Sequence, residues 1–182
     1  MKLSRRAALA LPFAALVVSA ALAEDSADNT VILTTKEGKV TIKLRPDLAP
    51  KHVAQIKALV NRKFYDGIVF HRVIPGFMAQ TGDPTGTGTG GSDLPNVPAE
   101  FSSAPFKRGT VGMARSSDPD SANSQFFICF ADAPFLNNKY TVFGEVTSGM
   151  DVVDKIKKGA GDDGMVSNPD KIVTMRMAGA AK

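Results

Sequence analysis

Phe70-His71-Arg72-Val73-Ile74-Pro75-Gly76-Phe77-Met78-Ala79-Gln80-Thr81-Gly82-Asp83 is the stretch on which the reading of this chain turns. Two short apolar runs flank a Pro-Gly bend, which suits a pair of strands. Arg72 and Gln80 bracket Phe77 and Met78. Later in the chain, Asn123-Ser124-Gln125-Phe126-Phe127-Ile128-Cys129-Phe130 repeats the mixture. Gln125 and Phe127 have the i, i+2 spacing that shares one strand face. A cation and two amides around an apolar pocket bring neither a nucleophile nor a metal ligand. They suit the holding of an apolar ring beside a polarisable amide.

Working outward, the pattern is one of short strands. Residues 30–36 and 39–45 are β-branched runs separated by Glu37-Gly38, which predicts a hairpin. Pro46 ends the second strand, and Pro50 suits the first turn of a helix. Val53, Ile56 and Val60, with Lys51, Lys57 and Arg62 elsewhere, predict an amphipathic helix over 50–62. Asp66-Gly67 is a turn between that helix and strands over 68–74 and 77–81. Further strands are expected over 110–115, 125–130, 141–148 and 171–178. A short helix is expected over 150–158, with Val152, Val153 and Ile156 inward and Gly159 as its stop. Many short strands with Gly/Pro turns and two helices point to a mainly β barrel or sandwich. Residues 82–109 hold no period and are rich in Gly and Pro. They predict a long ordered surface loop with a functional role.

At 182 residues the chain suits one domain with a full core. Residues 1–23 are set aside from the fold. Lys2, Arg5 and Arg6 form a basic start, an apolar run follows, and Ala21-Leu22-Ala23 offers a cleavage pattern before Glu24. This reads as a cleaved export signal, with the domain spanning 24–182 and a periplasmic location expected. Ser4-Arg5-Arg6 leaves the Sec and Tat routes both open. The chain has 22 basic and 18 acidic residues, net +4; three of the basic ones lie in the leader, so 19 against 18 remain, net +1. The basic character therefore largely reflects targeting and is no evidence for a nucleic-acid partner, and none is expected. No membrane association is expected after cleavage. Cys129, the single cysteine, lies in an apolar run and reads as a small buried hydrophobe.

Gly86-Thr87-Gly88-Thr89-Gly90-Gly91 matches G-x-G-x-x-G, but Asp83-Pro84 precedes it and Pro95 and Pro98 follow, so the strand and helix of a dinucleotide site are missing. A tight loop with close backbone approach is the better reading. His52 and His71 share no ligand spacing with each other or with Cys129, and no metal or cofactor is expected. His71 alternates with Arg72, so it faces away from it and reads as a core histidine satisfied by hydrogen bonds. The pairs Asp118/Asp120 and Asp162/Asp163 read as solvated turn residues. Arg72 differs because of its company: Phe77, Met78 and Gln80 follow it, and Gln125 and Phe127 echo them.

With these residues in place, the chain resembles a cyclophilin-type peptidyl-prolyl cis-trans isomerase. The likeness rests on residues 70–83, 86–91, Gly112-Met113-Ala114-Arg115, Ser124-Gln125-Phe126-Phe127-Ile128 and Val142-Phe143-Gly144. It implies a closed eight-stranded antiparallel barrel capped by two helices. It makes Arg72 the catalytic arginine, with Gln80 and Gln125 orienting it and the substrate. Phe77, Met78, Phe127 and Leu136 would form the proline pocket, with Tyr140 where the family often has histidine. Ala114, Arg115 and Ser116 would form the rim that pairs with the substrate backbone, and residues 86–91 an adjoining subsite. Two departures stand out besides Tyr140: Arg115 replaces a common asparagine, and Phe135 replaces a common tryptophan. The resemblance implies isomerisation of X–Pro bonds in unfolded or partly folded exported chains, by a monomer, and cyclosporin inhibition weakened by Phe135. The alternative is a holdase that grips proline segments without turnover.

Overall fold

A computed structural model describes residues 27–179. The leader read at 1–23 lies outside the described residues. The order is β1 (Thr30–Thr35), β2 (Gly38–Leu44), α1 (Pro50–Asn61), β3 (Arg72–Ile74), β4 (Met78–Thr81), β5 (Thr110–Met113), β6 (Phe126–Cys129), β7 (Val142–Ser148), α2 (Met150–Asp154) and β8 (Thr174–Met177). Alternation builds the opening hairpin: Val31 pairs with Ile42 and Leu33 with Val40, and all four side chains are fully buried. Pro50 opens α1 as expected. His52, Val53, Ile56, Leu59 and Val60 form its buried stripe. Ala49 offers α1 no capping side chain, so Glu100 does the work from the long loop, accepting from the Lys51 and His52 amides at 3.1 Å each. A carboxylate there also meets the positive end of the helix.

All eight strands join one antiparallel sheet in the order β3-β4-β6-β5-β7-β2-β1-β8. The fully closed barrel is corrected: β3 and β8 share no ladder, so the sheet is an open, curled half-barrel. Residues 159–172 lie along the seam instead. Phe70 N donates to Asp170 O (2.8 Å), Val166 N to His71 O (3.0 Å) and Val73 N to Gly164 O (2.7 Å). Positive φ at Gly161, Gly164 and Asn168 (78°, 72° and 52°) prevents this segment from running as a strand. Consequently the strand expected over 171–178 shrinks to four residues and the one over 68–74 to three. Gly159 does not stop α2, which ends at Asp154. A Cβ on Gly159 would lie 2.1 Å from Gly164 O, and one on Gly164 would lie 2.4 Å from Ile74 Cγ1. These glycines serve close packing of the seam on β3.

Candidate active site

The register of β3, β4 and β6 sorts their side chains onto two faces. Arg72 pairs with Gln80 and Gln80 with Phe127; Ile74 pairs with Met78 and Met78 with Cys129. These six share one face. Val73, Ala79, Phe126 and Ile128 occupy the other and enter the main core with the α1 stripe. One face holds the fold together, and the other gathers the residues that the sequence had grouped.

The apolar part of that second face is a separate cluster. Met78, Phe127 and Leu136 are buried in it, with Phe77, Ala114 and Tyr140 half-buried at its margin. Leu136 arrives on a single 3-10 turn, Pro134–Leu136. Phe106 stacks on Phe127 at 5.8 Å, and Tyr140 stands edge-on to it at 6.1 Å. Phe135 is 60% exposed and lies 5.3 Å from Phe77. Cys129 is buried within the same cluster. Burial, with a smaller contribution from the Asp132 charge, pushes its thiol up to about 12, so it serves as a hydrophobe.

Beside this wall runs a chain of hydrogen bonds. Arg72 donates through Nε to Asp163 O (2.8 Å) and through Nη1 to Gln80 Oε1 (3.2 Å). Gln80 Nε2 donates to Gln125 Oε1 (2.9 Å). Gln125 Nε2 donates to Gly88 O (3.0 Å) and Gly90 O (2.8 Å). The Gly-rich loop is thus the anchor of the arm. Asp83 in turn anchors the loop. Its carboxylate is 1% exposed and accepts from Thr85 N (2.8 Å), Thr85 Oγ1 (2.8 Å) and Gly88 N (2.6 Å). Burial alone would raise its pKa. The donors from Thr85, Gly90 and Gly88 outweigh that and hold it at about 2. The other end of the loop is pinned by Asn123, whose Oδ1 accepts from Ser92 N (2.8 Å) and Ser92 Oγ (2.7 Å).

Between arm, loop and rim lies a cavity of about 590 Å³, lined by Gln80, residues 88–92, Asn96, residues 114–116, Ser121, Asn123 and Gln125. Ala114, Arg115 and Ser116 therefore line this groove as expected, with Ser116 exposed and bonded to Ser121 Oγ. Phe77, Met78, Phe127, Leu136 and Tyr140 belong to the wall, and Gln80, Ala114, Arg115, Ser116 and Gln125 to it or to the cavity lining; Arg72 belongs to neither and reaches the cavity through its bond to Gln80.

Four particulars differ from expectation. His71 is buried and faces away from Arg72, but neither of its nitrogens has a hydrogen-bond partner among the described residues. Desolvation lowers its pKa, so the ring is held neutral. Asp163 is more than a solvated turn residue, because its carbonyl oxygen fixes Arg72. Asp83 was read only as the edge of a loop. The pattern Asp83-Pro84-Thr85, an Asx-turn signal, was the clue that could have found it. Arg115, expected only as part of the rim, also reaches across to Lys139 O and the Tyr140 ring with its side chain.

The family model described as cyclophilin type peptidyl-prolyl cis-trans isomerase/CLD matches residues 30–177. The chain is 59% identical over 187 aligned residues to a probable peptidyl-prolyl cis-trans isomerase of Brucella suis, covering 95% of each. It is 44% identical over 131 residues to a peptidyl-prolyl cis-trans isomerase of Helicobacter pylori strain 26695, covering 70% of this chain and 79% of that one. Among solved structures it resembles the cyclophilin AquaCyp293 from Hirschia baltica, with TM-score 0.77, 32% identity, and coverage of 85% of this chain and 76% of that one. It also resembles a cyclophilin-type isomerase of Cryptosporidium parvum determined in the presence of the dipeptide Ala-Pro. There the TM-score is 0.74 and the identity 28%, covering 81% of this chain and 98% of that one.

Proposed function

This chain belongs to the cyclophilin-type peptidyl-prolyl cis-trans isomerase family, and we propose that it turns over X–Pro bonds by pressing the Arg72 guanidinium on a twisted prolyl amide. The observation that carries the proposal is the double fixation of Arg72, by Asp163 O at Nε and Gln80 Oε1 at Nη1, on the face that also bears Met78 and Phe127.

Resonance sets a barrier of about 18–20 kcal/mol to rotation about a peptide bond. Without catalysis, X–Pro isomerisation takes roughly 10–100 s. Lowering the barrier by about 7 kcal/mol gives about 10⁵-fold. In the twisted state the prolyl nitrogen regains its lone pair and becomes an acceptor. A donor that binds it there, and not in the planar ground state, meets the condition for catalysis. The planar guanidinium fork suits the task because two of its corners can be fixed while the rest faces the substrate. The wall of Met78, Phe127, Leu136, Phe77 and Tyr140 holds the ring still while the acyl side rotates. It also excludes water, which strengthens the donor. Gln80 and Gln125 orient the donor, and Ala114, Arg115 and Ser116 present the rim to the substrate backbone.

The substrate class is proline-containing polypeptide, in keeping with the dipeptide named for the Cryptosporidium parvum structure. Residues 1–23 act as an export signal, and the clients are chains folding outside the cytoplasm. The test is a proline-limited refolding assay of the chain beginning at Glu24, with and without Arg72. Turnover by the wild type and its loss in Arg72→Ala are expected. Binding of proline peptides without turnover would return the holdase reading. Intact mass from the native host should show a chain starting at Glu24, and retention of residues 1–23 would overturn the export assignment.

A further inference from the structure

Arg115 stands where two walls of the groove part company. Up to that point backbone holds them together: Gly112 pairs with Val142 across β5 and β7, and Met113 N donates to Thr141 O at 3.0 Å. Beyond this bond one strand continues into the rim, and the other side is the turn that carries Leu136 and Tyr140. The link there passes to a side chain. Arg115 Nη1 donates to Ser116 O (2.8 Å), curling the rim on itself. Its Nη2 donates across the gap to Lys139 O (2.9 Å). The guanidinium carbon lies 4.4 Å from the centre of the Tyr140 ring, and that ring stands edge-on to Phe127. One side chain thereby touches the rim, the turn and the wall of the proline pocket.

We propose that the Arg115 side chain is a positioning residue for isomerisation: a clamp that fixes the separation between the rim and the Tyr140 wall before substrate arrives. This rests on the isomerase reading above and gives the Arg115 side chain a role that reading does not assign. The clamp is not an ion pair, since its partners are carbonyls and a ring. Its Nε is buried without a partner, a cost that a purely stabilising contact would avoid. A fork is required, because a lysine ammonium can sit over the ring or serve one carbonyl but cannot bridge both loops in one plane. Walls already in place spare the substrate the ordering of two loops on binding, which acts on ground and transition states alike.

Arg115→Ala is therefore expected to raise KM roughly three- to tenfold with kcat changed less than about twofold. Arg115→Met, which keeps the stem, should behave like Arg115→Ala, and Arg115→Lys should recover part of the loss. Hydrogen exchange of Arg115→Ala should quicken together at residues 115–118 and 138–140 and stay unchanged in the sheet. Wild-type KM in Arg115→Ala, or unchanged exchange in the two loops, would overturn the clamp. Exchange quickening uniformly across the sheet would also overturn it, making Arg115 a residue of global stability. Absence of turnover in the wild-type chain would instead remove the isomerase reading, and the paired exchange of the loops would then decide the clamp alone.

Discussion

The apolar wall and the polar arm of this groove meet on β3, β4 and β6 and are held by opposite means. The wall consists of Met78, Phe127 and Leu136 inside a packed cluster, with Phe106 stacked behind Phe127. Its contacts are numerous and non-directional. The arm is one strand of hydrogen bonds from Asp163 and Arg72 through Gln80 and Gln125 to Gly88 and Gly90, with Asp83 behind the loop. Each bond there has one donor and one acceptor, so a lost link is not replaced by a neighbouring contact. The wall should therefore tolerate substitution that keeps volume, and the arm should not. Of the three departures that the resemblance implies, Phe135 and Tyr140 fall at the wall and Arg115 at the rim, and none falls on the arm.

The largest effect falls at the reacting end of the arm. Arg72→Ala should lower kcat/KM by roughly 10²–10³-fold, the scale for loss of one preorganised donor to a transition state. Melting should be little changed, because Arg72 lies on the groove face of β3 and not in the main core. Arg72→Lys should recover little, since a point charge cannot meet Asp163 O and Gln80 Oε1 together. Near-normal turnover in Arg72→Ala would mean that the wall alone supplies the catalysis.

Wall and arm were each legible in the sequence only in part, and the reason is physical. Leu136 and Tyr140 come only through the family resemblance, whereas alternation and spacing gather Arg72, Met78 and Gln80, with Phe77 beside them, and join Gln125 to Phe127. They do not report what a backbone carbonyl does, so the hold of Asp163 on Arg72 left no trace in residue type. Nor do they report the path of an aperiodic loop, so Asn123 and Glu100 left no sign of anchoring it, and of its three anchors only Asp83 carried a local signal, the Asx turn. The closed barrel failed for a related reason. The seam is set by positive φ in residues 161–168, and a run of β-formers further on is no guide to it. Burial of His71 followed from alternation, whereas its missing partners depend on packing that alternation does not describe.

The next test works at the far end of the arm. An Asp83 carboxyl held at about 2 against an ordinary 3.8 corresponds to about 2 kcal/mol of stability at neutral pH. The folded-state pKa is depressed, so this contribution is complete above the unfolded value and is lost as pH falls through the folded one. Asp83→Asn should thus unfold about 2 kcal/mol more easily at pH 7, with the difference from wild type closing between about pH 4 and pH 2. Denaturant titrations across that range would show it. A constant difference at all pH values would place the effect in packing and not in the charge.

A pair of variants then sets arm directly against wall. Gln125→Leu breaks the bonds to Gln80 and to the Gly88 and Gly90 carbonyls, and should lower kcat/KM about tenfold, the worth of a net hydrogen bond or two. Met78→Leu conserves volume in the packed cluster and should cost under about 1.5 kcal/mol of stability, with turnover changed only a few-fold. Equal losses in the two would erase the distinction between directional and non-directional construction.

The smallest effect on turnover, and the sharpest on a ligand, is expected at the outer edge of the wall. Phe135 is 60% exposed and rests against Phe77 at 5.3 Å, outside the buried cluster of Met78, Phe127 and Leu136. Turnover of short peptides should barely sense it. Cyclosporin-type ligands, which the resemblance places in this groove, are larger and reach further along it. Phe135 offers them no polar handle and less face than an indole. Phe135→Trp adds one donor, worth about 0.5–1.5 kcal/mol, and apolar contact worth about 1 kcal/mol at about 25 cal/mol/Å². Cyclosporin should therefore inhibit Phe135→Trp at least about tenfold more tightly than the unmodified protein, with kcat/KM on short peptides within about twofold. Nanomolar inhibition of the unmodified protein, or no gain from Phe135→Trp, would move the determinant of drug affinity from this outer ring to the rim of residues 114–116.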